Sequence, residues 1–133
     1  MGNCLRLEVV TPEKKMFSSD VSEIQFPSAF RGYYGILPGH TPVLTPLGDG
    51  LLTCLSGGKN VVMAIFGGFA EVGPSHVTIL ARECEMADSL DAVAISEQLH
   101  LAERQIKDAA TPAEQQKLQA LIDACRVKLQ ALE

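Results

Sequence analysis

The chain has 133 residues, of which 47% are hydrophobic and 20% charged; this suits one compact domain, or one with a small appendage, that buries a real core. A formal net charge of -5 argues against nucleic acid as a partner, because phosphate binding needs a basic face, and against an electrostatic membrane anchor of clustered Lys and Arg. No apolar run approaches the roughly 18 residues of a membrane-spanning helix; Val61 to Phe66 is only as long as a strand.

Met1-Gly2-Asn3-Cys4 shows no basic region ahead of an apolar stretch, so no secretory signal is expected, and Arg6 takes the sixth position where N-myristoylation needs Ser or Thr. Up to about residue 87 the chain holds nearly all its Gly and Pro and most of its β-branched residues. Leu5, Leu7 and Val9 alternate with Arg6 and Glu8, which predicts a half-buried strand. Val21, Ile24 and Phe26 suggest a second strand whose period slips once, as at a bulge. Leu51 to Leu55, Ser56-Gly57-Gly58-Lys59 and Val61 to Phe66 predict a hairpin with a Gly-rich turn. Phe69 to Val72, Gly73-Pro74-Ser75 and Val77 to Leu80 predict another. Short strands at close spacing predict a sandwich or a barrel.

From residue 88 Gly is absent and Pro112 is the only proline. Asp88 is placed to cap a helix whose first turn also carries Asp91. Ile95, Leu99, Ala102 and Ile106 draw its apolar stripe. Thr111 as N-cap, Pro112 in the first turn and Glu114 at the reciprocal capping position open a second helix. Its stripe is Leu118, Leu121, Ile122, Cys125, Leu129 and Leu132. A short link makes the pair an antiparallel hairpin whose stripes serve mostly to pack each other. The predicted domains are residues 1–87 and 88–133, an α+β chain.

Few residues carry chemistry. Gly57-Gly58-Lys59-Asn60 fails as a phosphate-binding loop, because Thr53 and Asn60 stand where that loop needs Gly and Ser or Thr. Gly67-Gly68-Phe69 fits a strand bend better than an oxyanion loop. His40, in Gly39-His40-Thr41-Pro42, has no nucleophile near it in the sequence, and Glu83 and Glu85 flank Cys84 as on a solvent-facing strand edge. Cys4, Cys54, Cys84 and Cys125 are scattered, without C-x-x-C or zinc-ligand spacing to His40, His76 or His100. They read as small buried hydrophobes in a reducing compartment, the cytoplasm. The residues alone predict a non-enzymatic interaction protein with no metal and no cofactor.

Gly35-Ile36-Leu37-Pro38-Gly39-His40-Thr41-Pro42 resembles a hallmark of the epsilon subunit family of F-type ATP synthases. Four further blocks keep family order: Leu7-Glu8-Val9-Val10-Thr11-Pro12-Glu13 with Phe17, Leu47-Gly48-Asp49-Gly50-Leu51, Gly67-Gly68-Phe69-Ala70-Glu71-Val72, and Val77-Thr78-Ile79-Leu80-Ala81. Cys125-Arg126-Val127 resembles the final helix. The resemblance covers nearly the whole chain. It implies an N-terminal antiparallel β-sandwich of about ten short strands and a C-terminal two-helix hairpin.

It also implies a non-catalytic rotor subunit of the proton-translocating ATP synthase. The sandwich would bind the gamma subunit and the c-subunit ring, coupling ring rotation to gamma for ATP synthesis. The subunit would sit peripherally on the cytoplasmic face of the bacterial inner membrane, held there through the complex. The implied contact residues for ring and gamma are Tyr33, Tyr34, Gly35, Pro38 and His40; Tyr33-Tyr34 stand where relatives often carry an acidic residue. The hairpin of many relatives extends along gamma and inhibits ATP hydrolysis, and Arg126 and Lys128 would then meet acidic patches on the catalytic alpha and beta subunits. Some relatives bind ATP on the folded hairpin through Leu/Ile-Asp-x-x-Arg-Ala. Here Leu90-Asp91 is followed by Ala94 in place of the Arg, so weak or absent ATP binding is expected. The rival readings are a free-standing β-sandwich adaptor with a partner-binding hairpin, and a small hydrolase.

Overall fold

The computed structural model describes residues 4–30 and 32–133; Met1-Gly2 and its acylation pattern lie outside the described residues. The chain divides into two compact units, one through Met86 and one from Ala87 onward. The first unit holds strands β1 (Leu5–Val10), β2 (Lys15–Val21), β3 (Glu23–Ser28), β4 (Gly32–Ile36), β5 (Val43–Pro46), β6 (Gly50–Ser56), β7 (Lys59–Val72) and β8 (His76–Met86). The second holds a 3-10 turn (Ala87–Ser89) and helices α1 (Ala92–Lys107) and α2 (Pro112–Ala131).

The strands run in the order β2-β1-β8-β7-β6-β3-β4, with β5 beside β7. All pairings are antiparallel except β1 with β8, which is parallel from Arg6↔His76 to Val10↔Leu80. A parallel neighbour needs a long crossover, here the whole of β2 to β7. The β7–β8 ladder is the seam of the fold and keeps one register from Met63↔Met86 to Val72↔Val77. One end of β7 pairs with β6 and the other with β5.

The change of neighbour falls at Gly67 and Gly68, whose φ values are +66° and +107°. A Cβ on Gly68 would overlap the Leu80 carbonyl oxygen, and one on Gly67 would come within 2.7 Å of the Arg82 guanidinium. Only glycine permits that backbone and that approach. Core-facing positions in β7 are Met63 and Ile65 before the glycines, then Ala70 and Val72 after them. The bend therefore lets one strand serve both layers. It also explains eight strands among the described residues where about ten were expected: β7 and β8 are 14 and 11 residues long.

Two sequence expectations change. Val21 and Ile24 belong to different strands, because Ser22 breaks the run between β2 and β3; the slip in period is a strand boundary, with Ser22 N donating to Leu55 O at 2.9 Å. Gly32 to Ile36, expected in a loop, is strand β4, paired from Ser28↔Gly32 to Ile24↔Ile36. The Gly57-Gly58 turn has φ of +57° and +81° at its two positions, the geometry of a two-residue hairpin loop. The core joins Leu5, Leu7, Val9, Ile24, Phe26, Leu52, Met63, Ile65, Val77 and Ile79, all at most 2% exposed. Each large aliphatic or aromatic side chain so buried contributes on the order of 2 kcal/mol. Across the far side, the Ser19 and Ser56 hydroxyls lie 2.8 Å apart and tie β2 to β6.

In the second unit, α1 begins at Asp91, not Asp88. Asp91 Oδ1 accepts from Val93 N at 3.0 Å and Ala94 N at 3.3 Å, while Asp88 sits in the preceding 3-10 turn. Two orphan amides of the first turn are thereby satisfied. Thr111 Oγ1 accepts from Glu114 N at 3.1 Å, and Glu114 Oε2 accepts from Ala110 N at 3.1 Å, one residue earlier than in the usual reciprocal box. Ile95, Ala102, Ile122 and Cys125 are buried along the seam. Leu121 and Leu132, expected in the stripe, are 36% and 37% exposed; they flank the seam instead of filling it. Antiparallel order shows in the cross-helix contacts of Gln98 with Cys125 and Glu103 with Arg126.

Candidate functional site

The hallmark segment divides into a strand and a tethered loop. Tyr33 and Tyr34 are adjacent on β4, so their rings leave on opposite faces. Tyr34 turns inward and lies against Phe26, ring centroids 5.7 Å apart. Tyr33 is 48% exposed, and its hydroxyl accepts from Leu51 N at 3.2 Å. Gly35 is exposed and has open space around it.

Beyond β4, Gly39 takes φ +86° and donates its N–H to Pro74 O at 2.7 Å. The loop is thus tied to the β7–β8 turn. His40 N donates to Leu37 O at 3.2 Å. His40 Nδ1 lies 2.6 Å from Thr41 O, which requires the proton on Nδ1 because a carbonyl only accepts. Pro38 and His40 are half-buried, and Leu37 is exposed. Glycine supplies the bend and the flanking prolines stiffen the run.

A second surface was not anticipated. Pro46 pairs with Phe69, Phe69 with Leu80, and Leu80 with Val10. Residues directly opposite in register share a face, so these four form one row across β5, β7, β8 and β1. Phe69 is 53% exposed and Leu80 50%. Leu44, two residues before Pro46 on the same face, is 69% exposed. Beside the row, Val10, Pro12, Gly68, Leu80 and Arg82 line a shallow concavity of about 440 Å³. Phe69 and Leu80 had been read as ordinary strand residues. The available signal was that each has apolar neighbours on both sides, as in Phe69-Ala70 and Ile79-Leu80-Ala81, so simple alternation cannot bury them all. The same face carries the ion pair Lys15–Glu8 at 2.9 Å. The Lys15 hydrogen bond and charge hold the Glu8 carboxyl below its usual range.

In the hairpin, Arg126 pairs with Glu103 at 3.3 Å, both ends well exposed. Such a pair contributes little stability. Lys128 is half-buried and near enough to Cys125 to oppose slightly the rise that burial causes in that thiol's pKa. Cys125 Sγ reaches Gln98 Oε1 at 3.9 Å. Asp91 is committed to the α1 N-cap, and Leu90, half-buried, precedes it. Ala94 is exposed in the first turn of α1.

Burial pushes the Cys54 and Cys84 thiols up to about 11, Glu85 adding to the rise at Cys84. Raised thiols are poor nucleophiles and poor metal ligands at neutral pH. Among the described residues, no group of three or more His, Cys, Asp or Glu could hold a metal ion, and no helix is long and apolar enough to cross a membrane. The geometry brings together docking surfaces and no assembled catalytic group.

Residues 4–87 match the family model for the ATP synthase Delta/Epsilon chain beta-sandwich domain. The ATP synthase epsilon chain of Solibacter usitatus is 42% identical over 113 residues, 85% of this chain and 81% of that one. That of Magnetococcus marinus is 34% identical over 134 residues, 100% of this chain and 97% of that one. Among solved structures, a chain of the mitochondrial ATP synthase of Euglena gracilis superposes with a TM-score of 0.86 over 98% of this chain and 82% of its own. At 22% identity, that likeness speaks for the fold. The sandwich match and the end-to-end alignment with named epsilon chains agree on both units, and the chain belongs to the ATP synthase epsilon chain family.

Proposed function

We propose that the chain works as a non-catalytic rotor subunit of the synthase's central stalk, joining the c-subunit ring to gamma so that ring rotation drives ATP synthesis. Family membership supports this, and so does a structural neighbour from Tetrahymena thermophila, whose title describes a central stalk and c-ring, with a TM-score of 0.64. The observation that carries the reading is the exposed apolar row Pro46, Phe69, Leu80 and Val10, with Leu44 beside it. A contiguous apolar patch on a soluble domain marks an interaction surface, and we assign this one to gamma. The β4 strand and the loop through His40 then face the ring, with Tyr33, Gly35, Pro38 and His40 at or near the contact and Tyr34 supporting it from the core side.

The hairpin is the regulatory part of the proposal. Its seam is thin, built on Ile95, Ala102, Ile122 and Cys125, which suits an element with a second state only a few kcal/mol away. On extension, Arg126 exchanges Glu103 for acidic groups on the catalytic alpha and beta subunits, and Lys128 joins it. ATP is not a ligand of the folded hairpin in this reading, because Ala94 supplies no cation and Asp91 already accepts two backbone hydrogen bonds. The chain reaches the membrane as a peripheral part of the complex, which we place on the cytoplasmic face of a bacterial inner membrane. A free-standing adaptor has no observation in its favour beside full-length identity to epsilon chains.

The test is reconstitution of the synthase in vesicles with and without this chain. The reading expects ATP-driven proton pumping only when the chain is present; equal pumping without it would overturn the coupling role. Deleting residues 88–133 should raise ATP hydrolysis in the assembled complex. Unchanged hydrolysis would overturn the inhibitory role alone.

A further inference from the structure

The β3–β6 ladder runs from Glu23↔Leu55 to Gln25↔Thr53 and then stops, although both strands continue. The reason lies at Pro27. Its carbonyl is turned away to accept from Gly48 N at 3.1 Å, so it does not serve β6. Ala29 N likewise donates to Pro46 O at 3.1 Å, and Ser28 forms an isolated bridge with Leu47. The end of β3 is drawn toward residues 46–48 and away from the start of β6.

Tyr33 closes the gap that this leaves. It is the registered partner of Pro27 on β4, and its ring reaches over Pro27 to β6, where the hydroxyl accepts from Leu51 N at 3.2 Å. Pro27 is buried even though it lies on the outer face of its strand. A Cβ on Gly50 would stand 2.6 Å from the Tyr33 hydroxyl and 3.2 Å from Pro27 Cβ and Cγ. Gly50 therefore provides the slot, Pro27 the floor and Tyr33 the bar across three strands. The β3–β4 tip beyond the bar ends in Phe30, which is 81% exposed and whose N–H is held by Ser28 Oγ at 3.2 Å.

We infer that Tyr33 is a positioning residue for the ring contact: its hydroxyl, lodged over Gly50, fixes the direction in which the β3–β4 tip presents Phe30 to the c-subunit ring. The inference rests on the ring-facing role given above for this end of the sandwich. A side chain that merely touched the ring would have no need of a hydroxyl seated on the Leu51 amide. A positioned tip binds without first being ordered, and that is where the bar acts.

The experiment uses the full chain in complex with gamma and measures its affinity for purified c-ring, together with hydrogen exchange at the Leu51 amide. Three chains are compared: wild type, Tyr33→Phe and Phe30→Ala. Tyr33→Phe keeps the ring and loses the acceptor, so Leu51 exchange should quicken and ring affinity fall about fivefold, the weight of one hydrogen bond, with gamma affinity unchanged. Phe30→Ala should weaken ring binding while Leu51 stays protected. The inference is overturned if Tyr33→Phe binds the ring as wild type does, or if it loses ring and gamma together, which would mark a general loss of structure. Failure of the wild-type complex to bind the ring overturns the underlying ring-facing role itself.

Discussion

At Gly68 a methyl group has nowhere to go. Its Cβ would overlap Leu80 O, and φ is +107°, a region that L side chains avoid. Gly57 also has positive φ, +57°, but open space around it. Gly68→Ala should therefore cost about 3 kcal/mol or more, and Gly57→Ala about 1 kcal/mol. Equilibrium urea unfolding of the two variants separates them; equal losses would mean that the β7 bend is not held by the close approach. The buried thiols give a residue-scale pH dependence. Cys54 and Cys84 ionise near 11 in the fold against a usual value of 9.0, so above pH 9 the unfolded chain releases these protons first. Their contribution is whole below about 9 and is lost as pH rises through about 11. Replacing both with Ala or Val should flatten the stability profile over that alkaline window, as read by unfolding at several pH values.

Among the elements, the caps of the hairpin are the sensitive points. Asp91→Ala leaves two first-turn amides without their acceptor and should cost about 1 kcal/mol, seen as faster amide exchange at Val93 and Ala94. Asp88→Ala should change little by comparison. How much of each element was readable follows from what forms it. The β6–β7 hairpin, the β7–β8 turn and the α2 start carry their own local chemistry in Gly57-Gly58, Pro74 and Thr111-Pro112, and the sequence announces them. Strand β2 contains Ser18, Ser19 and Asp20 at an end of the sheet, where one-sided pairing needs no clean alternation. Strands β4 and β5, five and four residues long and rich in Gly, Tyr and Pro, exist because β3 and β7 pair with them. Their propensities alone would not predict it. Asp91 was passed over as a cap because Asp88 offers the same chemistry three residues earlier, and only the 3-10 turn between them decides. The candidate site was half legible for a similar reason. Motif residues around His40 could be named, whereas the Phe69–Leu80 row emerges only when register places four strands side by side.

For the molecule as a whole, the main core is drawn entirely from Leu5 to Cys84, with flanking Met86. A chain ending at residue 86 should therefore unfold cooperatively on its own, with its midpoint in urea close to that of the sheet unit in the full chain; a non-cooperative melt would contradict the division of units. The division gives the function its form: a rigid sheet unit that presents two surfaces, and a lightly packed hairpin free to act as a brake. The central claim is that the apolar row across β5, β7, β8 and β1 is the gamma-binding surface. It is tested most directly by mixing the full chain, wild type or Phe69→Glu, with the gamma subunit from the same source and following both by size-exclusion chromatography. Co-elution of the wild type at low micromolar concentration, and separate elution of a folded Phe69→Glu variant, is the predicted result. Separate elution of the folded wild type, or undiminished co-elution of Phe69→Glu, would contradict it.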